Sequence, residues 1–250
     1  LRRLRRQQAH RRRSLHLNAK EPKIIIVGGK PVYDIRAFYR KEGRARYISH
    51  LDLYRTVQRA FQRSKLPIWF TLGFNPHIYL TYALPLALGY EGVRESFDFR
   101  LTEDLPLEEA AARLNAAMPE GIVITELAPP VHKADDIEKA DYTLEFSVKE
   151  LSPEELEKAF TDYISQPAIE TQKHTKKGPK TIDLKPSLLR CEVEKTDRGI
   201  LLSLTLPAGI HENINPTLLI DAFGKAVEKE PDYHAIRRDR ILCSDGTEFC

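Results

Sequence analysis

The chain has 250 residues, 42% of them hydrophobic and 30% charged, with a formal net charge of +3. That is enough apolar material to build the core of one large domain or two small ones. Purely apolar runs such as residues 24–27 are far too short to span a bilayer, and no apolar segment follows the basic start, so a cytoplasmic protein with no membrane partner is expected.

Residues 1–23 hold nine Lys/Arg against one acid, which leaves a net charge of −5 on the remainder. Such a tail attracts nucleic acid or an anionic surface without specificity. Residues 1–33 are expected to be a basic tail and linker without order, even though residues 24–27 are strand-like in composition. Order should begin at Asp34, where Ile35, Ala37 and Tyr39 alternate with Arg36, Phe38 and Arg40 as a half-buried strand. Ser49 stands three residues before Asp52 in the S-x-x-D form of a capping box, which predicts a helix start. The helix should bury Leu51, Tyr54, Val57, Ala60 and Phe61, expose Arg55, Arg59, Gln62 and Arg63, and stop before Pro67.

Short strands are expected at residues 68–71 and 78–83, joined by the breaker-rich turn Gly73-Phe-Asn-Pro-His. Residues 85–92 read as a loop, 95–101 as a strand, 107–118 as an amphipathic helix and 121–127 as a closing strand. The second half repeats the order. Residues 142–148 alternate as a strand, and Ser152 caps a helix that has Pro153 in its first position. Strands are expected near 169–172, 188–194 and 200–206, a helix over 216–227 and a last strand over 236–243. The order β-α-β-β-α-β, twice, predicts an α+β chain of tandem ferredoxin-like units, the first over residues 34–129 and the second over 140–245. Between strands of the second half, Lys173, Lys176, Lys177 and Lys180 are expected to lie in a flexible basic loop that could touch a phosphate backbone.

The polar side chains near the breaks of residues 47–95 are the candidates for chemistry. His50 falls in the first helical turn, where the dipole favours a neutral imidazole, and Asp52 is favoured there as an anion. With His77 they form an acid–base candidate set, although capping alone accounts for Ser49 and Asp52. Asn75 and His77 are held by Gly73 and Pro76 on a connection that can present them to a ligand. Glu91 and Glu95 are supporting candidates that would meet the histidines if the sheet brings the turns together. The spacing of these groups is too long-range to specify a metal site, so no metal and no cofactor is expected. Arg55, Arg59 and Arg63 recur at four-residue spacing as a basic ridge suited to phosphates. Trp69, Phe70, Phe74, Tyr79 and Tyr82 could stack on bases, but their placement in strands assigns most of them to the core. Cys191, Cys243 and Cys250 have no C-x-x-C spacing and read as free thiols. The chain has no G-x-x-x-x-G-K-[ST], G-x-G-x-x-G, G-x-S-x-G or C-x-x-x-C-x-x-C motif, which argues against nucleotide hydrolysis, dinucleotide redox, serine hydrolysis and a resident radical cluster.

Tyr47-Ile-Ser-His-Leu-Asp-Leu, Gln58-Arg-Ala-Phe-Gln-Arg-Ser, Leu66-Pro, Gly73-Phe-Asn-Pro-His, Ala83-Leu-Pro-Leu-Ala-Leu-Gly and Glu95-Ser-Phe-Asp resemble the radical SAM-linked family, a bacterial domain of unknown function. The resemblance is specific over residues 34–129 and looser beyond. It implies a cytoplasmic protein encoded beside, or fused to, a radical SAM protein, often near ribonuclease and ribosomal-protein genes. Where that family continues Asn-Pro-His-Pro-Lys, this chain has Ile78 and Tyr79 after His77, so the Lys is absent. The expected function is an accessory module that binds an RNA or ribosomal substrate for a radical SAM enzyme, without catalysis of its own. The alternatives are an RNA-processing or RNA-modifying enzyme that uses the histidines, and a protein-only adaptor for the radical SAM partner.

Overall fold

The computed structural model describes residues 24–27, 30–175 and 178–250. The expected basic tail over residues 1–23, and Lys176 and Lys177 of the expected basic loop, lie outside the described residues. Within them the chain is a mixed α+β fold of eleven strands and four α-helices. Nine strands share one mixed sheet.

The first half runs β1 (Ile24–Val27), β2 (Lys30–Lys41), α1 (His50–Ser64), β3 (Leu80–Thr81), β4 (Glu91–Leu101), α2 (Leu107–Ala117) and β5 (Ile122–Ala128). The second runs β6 (Ile137–Val148), α3 (Pro153–Ile164), β7 (Glu170–Thr175), β8 (Gly178–Asp183), β9 (Arg190–Lys195), β10 (Ile200–Pro207), α4 (Pro216–Ala226) and β11 (Pro231–Cys243). In space the first set lies in the order β5-β2-β4-β3 and the second in the order β11-β6-β10-β9. Counting strands in chain order, and leaving out β1 and the β7–β8 hairpin, both halves therefore read fourth, first, third, second. Two parallel pairs, Glu91 with Arg237 and Gly92 with Arg238, join β4 to β11 and make the sheet continuous.

Two apolar clusters lie under the helices. One gathers Ala37, Tyr39, Val57, Phe61, Phe97 and Phe99; the other gathers Leu144, Phe146, Phe160, Leu202 and Phe223. The connection from β3 to β4 crosses between them, because its Leu84, Leu86 and Tyr90 pack into the second cluster. Tyr90 donates its hydroxyl proton to Asn215, the N-cap of α4.

Several local expectations change. Residues 24–27 are not linker but one arm of a hairpin with the start of β2. β2 is buried on both faces from Ile35 to Tyr39, because Arg94 lies flat on Phe38 at 3.8 Å and Phe249 covers Arg36 at 4.2 Å. Helix α1 buries Leu53, Val57, Ala60 and Phe61 but exposes Leu51, which stands about 200° around the helix from Leu53. Of the strand expected over 78–83 only Leu80 and Thr81 join the sheet, with Ile68 and Phe70 held by single bridges. The flexible basic loop is replaced by the β7–β8 hairpin, which pairs Glu170–Thr175 with Gly178–Asp183 apart from the main sheet. Among the described residues no helix is long and apolar enough to cross a membrane.

Candidate functional site

Helix α1 organises the surface that carries most of the candidates. At its start, Ser49 Oγ accepts from the Asp52 backbone N at 3.2 Å and donates to Asp52 Oδ2 at 2.7 Å, while Arg55 reaches Asp52 Oδ1 at 3.2 Å. The Ser49 hydroxyl first, and Arg55 second, hold the exposed Asp52 carboxyl below the usual aspartate range. Asp52 is thus a capping anion in an exposed cluster.

At the other end α1 and α2 close each other's C-termini. Arg113 donates to the Ser64 carbonyl at 3.0 and 3.1 Å and also to the Lys65 carbonyl, and Arg63 donates to the Ala117 carbonyl at 2.6 Å. These bonds satisfy carbonyls that a helix end leaves without partners. The expected three-arginine ridge therefore divides. Arg63 is turned toward α2, while Arg55 and Arg59 stay on the solvated face, and Arg59 makes no hydrogen bond or ion pair among the described residues.

Beside α1, residues 70–78 fold back on themselves at the sheet edge. Phe70 bridges to Ile78, and Thr71 N donates to the His77 carbonyl at 2.8 Å. Thr71 Oγ1 accepts from His77 N at 3.1 Å and lies 3.0 Å from His77 Nδ1, which is also 3.1 Å from the Asn75 carbonyl oxygen. Gly73, at φ +124°, makes the tight turn in a conformation that L side chains rarely adopt. Everything from Leu72 to His77 is exposed, and Phe74 stands fully in solvent at the tip. Trp69 and Tyr79 lie on the other side of the sheet, where the Arg100 guanidinium sits 5.1 and 4.2 Å from their ring centres.

His50 belongs to a separate, interior group. Its ring meets Tyr82 edge-on with centroids 4.9 Å apart, and both His50 Nδ1 and the Tyr82 hydroxyl are buried without a hydrogen-bond partner among the described residues. Burial, and then the charge on Lys41, push the His50 pKa down, and burial pushes the Tyr82 hydroxyl up. Lys41 is itself buried and donates to the carbonyls of Ile48 at 2.8 Å and Arg46 at 3.3 Å. Next to it Arg238 donates through Nε to Glu95 Oε1 at 2.9 Å, through Nη2 to Glu95 Oε2, and to the Leu84 carbonyl at 2.6 Å. Burial opposes the charge on Arg238, but Glu95 outweighs it and keeps the guanidinium protonated. Gly92 makes room for this pair, since a Cβ there would stand 2.4 Å from Glu95 Cγ.

The sheet does not bring the two glutamates to the histidines. Glu91 Oε1 accepts from Gly43 N at 3.0 Å, and Glu95 is taken up by Arg238. His50, Asp52 and His77 are each held by different neighbours. No hydrogen bond, ion pair or ring contact among the described residues joins them, and no group of three or more His, Cys, Asp or Glu side chains is placed there to hold a metal ion. Lys41 and Arg238 were not singled out from the sequence, and Tyr82 was read there only as an aromatic that could stack on bases or fill the core. Lys41 had a signal, because it continues the inward series Ile35, Ala37, Tyr39. Arg238 had none, since its partner lies 143 positions away.

Comparison with known proteins finds one family and, among solved structures, distant likenesses that include the two below. The sequence model of a family described as "Uncharacterized protein conserved in bacteria (DUF2344)" matches residues 34–216. No curated protein matches the chain. Among solved structures it is similar to a chain of a Cbf5–Nop10–Gar1 complex, at 12% identity and a TM-score of 0.42, covering 76% of this chain and 45% of that one. It thus spans less than half the length of that relative. It is also similar to an unknown protein from Galdieria sulphuraria, at 8% identity and a TM-score of 0.23, covering 81% of this chain and 98% of that one.

Proposed function

We propose that this chain, which belongs to the bacterial family DUF2344, is an RNA-binding accessory module of a radical SAM system. The observation that carries the RNA reading is the pairing of a solvated basic helix face with a braced, exposed turn. Arg55 and Arg59 line the face, and the turn that holds Asn75 and His77 lies alongside it, since Phe61, Gln62 and Lys65 of the helix end share a groove with Phe70 and Ile78. Cations at helical spacing contact phosphates, and a turn that needs no ordering on binding presents its polar groups without that entropic cost. The link to a radical SAM protein rests on the sequence resemblance alone. The strand order repeated in the two halves supports reading the chain as tandem ferredoxin-like units, which together offer one broad continuous sheet.

His50, Asp52 and His77 are held apart by local contacts, which favours the binding reading over the acid–base one. The test is a pull-down of the tagged chain from bacterial lysate, with and without ribonuclease. RNA recovered with the chain, and depleted when Arg55 and Arg59 are both changed to Ala, supports the proposal. A ribonuclease-resistant complex with the radical SAM protein and no RNA would show the chain to be a protein adaptor instead.

A further inference from the structure

The groove between the end of α1 and the hairpin over residues 70–78 is the part of this surface that the basic face does not explain. It has a volume of about 310 Å³, with walls from Phe61, Leu66, Phe70 and Ile78 and with Gln62 and Lys65 at the rim. That is the low end of ligand-sized cavities, which run from roughly 300 to 1,000 Å³. Two exposed aromatics belong to the hairpin that supplies one wall. Phe70 is a wall of the groove yet about half exposed, and Phe74 stands free at the hairpin tip. Large apolar side chains left in water at a tip held by Gly73, Pro76 and the Thr71–His77 bonds call for an occupant.

We infer that this groove and Phe74 take the bases of unpaired RNA, so that the substrate class is single-stranded; the inference rests on the RNA-binding reading above. Two features select this occupant. The first is charge. Lys65 at the rim and Arg59 on the adjoining face have no acidic partner among the described residues, and the nearby acid, Asp52, is already matched by Ser49 and Arg55. Unmatched cations flanking apolar walls complement a chain of phosphates carrying flat apolar faces. The second is size. A stable protein partner covers on the order of 800 Å² of each surface, whereas this groove is a small hollow of about 310 Å³ lined by a few side chains. In a duplex every base face except those of the two end pairs is covered by its neighbours, so bases along a strand can meet Phe70 and Phe74 only where they are unpaired. Gln62 is the uncharged polar side chain of the groove lining, so the groove itself has little to read base edges with, and stacking there should tolerate any base.

The test uses the full chain and fluorescence anisotropy with two labelled probes, an unstructured RNA of about 12 nucleotides and the blunt duplex of the same sequence. The single strand is expected to bind about tenfold more tightly than the duplex. Phe74→Ala should weaken the single strand by about the same factor without changing the slope against salt, and Phe74→Trp should restore it. Phe74 touches no core cluster, so loss of folding does not confuse the result; Phe70→Ala is the second variant, with its melting curve recorded alongside. Equal affinity for duplex and single strand, or an unchanged affinity in Phe74→Ala, overturns the inference while leaving RNA binding in place. A Phe74→Ala chain that keeps its RNA affinity but loses a ribonuclease-resistant protein complex overturns it and assigns the patch to protein. Binding of neither probe overturns both this inference and the proposed function.

Discussion

Arg238 grips both carboxylate oxygens of Glu95, 143 positions away in sequence, at a place where neither side chain is more than 4% exposed. The pair sits where β4 and β11 meet, so it joins the two halves of the sheet through a charged contact inside the molecule. With Lys41 beside it the interior carries two cations and one anion, a balance that the carbonyls of Leu84, Ile48 and Arg46 help to satisfy. Removing one partner strands a buried charge, which typically costs about 3–5 kcal/mol.

Glu95→Gln and Arg238→Met are each expected to lower unfolding free energy by that amount in urea titrations. The double variant should lose less than the sum, because neither charge of the pair is then buried without the other, while Lys41 keeps its carbonyl partners in every variant. Additive losses would mean that the two residues stabilise the junction independently.

The local parts of this fold were legible, because they depend on side chains close in sequence. Ser49 and Asp52, and Ser152 with Pro153, marked their helix starts through hydrogen bonds that span three residues. Alternation marked β2 and β4, and the turn at Gly73 followed from its breakers. What stayed hidden was set by distant partners. Glu95 reads as a supporting candidate for the histidines until β11 brings Arg238 to it, and Arg36 reads as solvated until Asp98 and Phe249 cover it. Lys173 and Lys180 suggested a loop because charge dominates composition there, yet the two positions pair across a hairpin. The arginine ridge was legible as spacing, but Arg63 is diverted by a carbonyl, Ala117, that its own helix does not contain.

His50 gives a pH dependence of definite sign. Burial and Lys41 lower its pKa in the folded chain, so folding favours the neutral ring. The unfolded chain binds the proton more readily. Its contribution is therefore fully present above the ordinary value of 6.5 and is lost as pH falls below that toward the depressed folded value. Thermal melts taken between about pH 8 and pH 5 should show a decline that is shallower in His50→Phe, which keeps a ring against Tyr82 but cannot titrate. Parallel profiles for the two proteins would contradict this.

Ser49 separates capping from chemistry. Ser49→Ala should destabilise the chain by about 1 kcal/mol, and Ser49→Thr should restore stability, since a hydroxyl there can both accept from the Asp52 backbone N and donate to Asp52 Oδ2. A threonine variant as unstable as the alanine one would mean that the hydroxyl contacts do not set the start of α1.

The salt dependence of RNA binding by the full chain tests the central claim most directly. If Arg55 and Arg59 neutralise phosphates, the slope of log affinity against log salt should become shallower by about 0.7 for each arginine changed to Ala, with single-stranded RNA as the probe. An Arg55→Ala, Arg59→Ala chain whose slope and affinity match those of the unaltered protein would contradict the account.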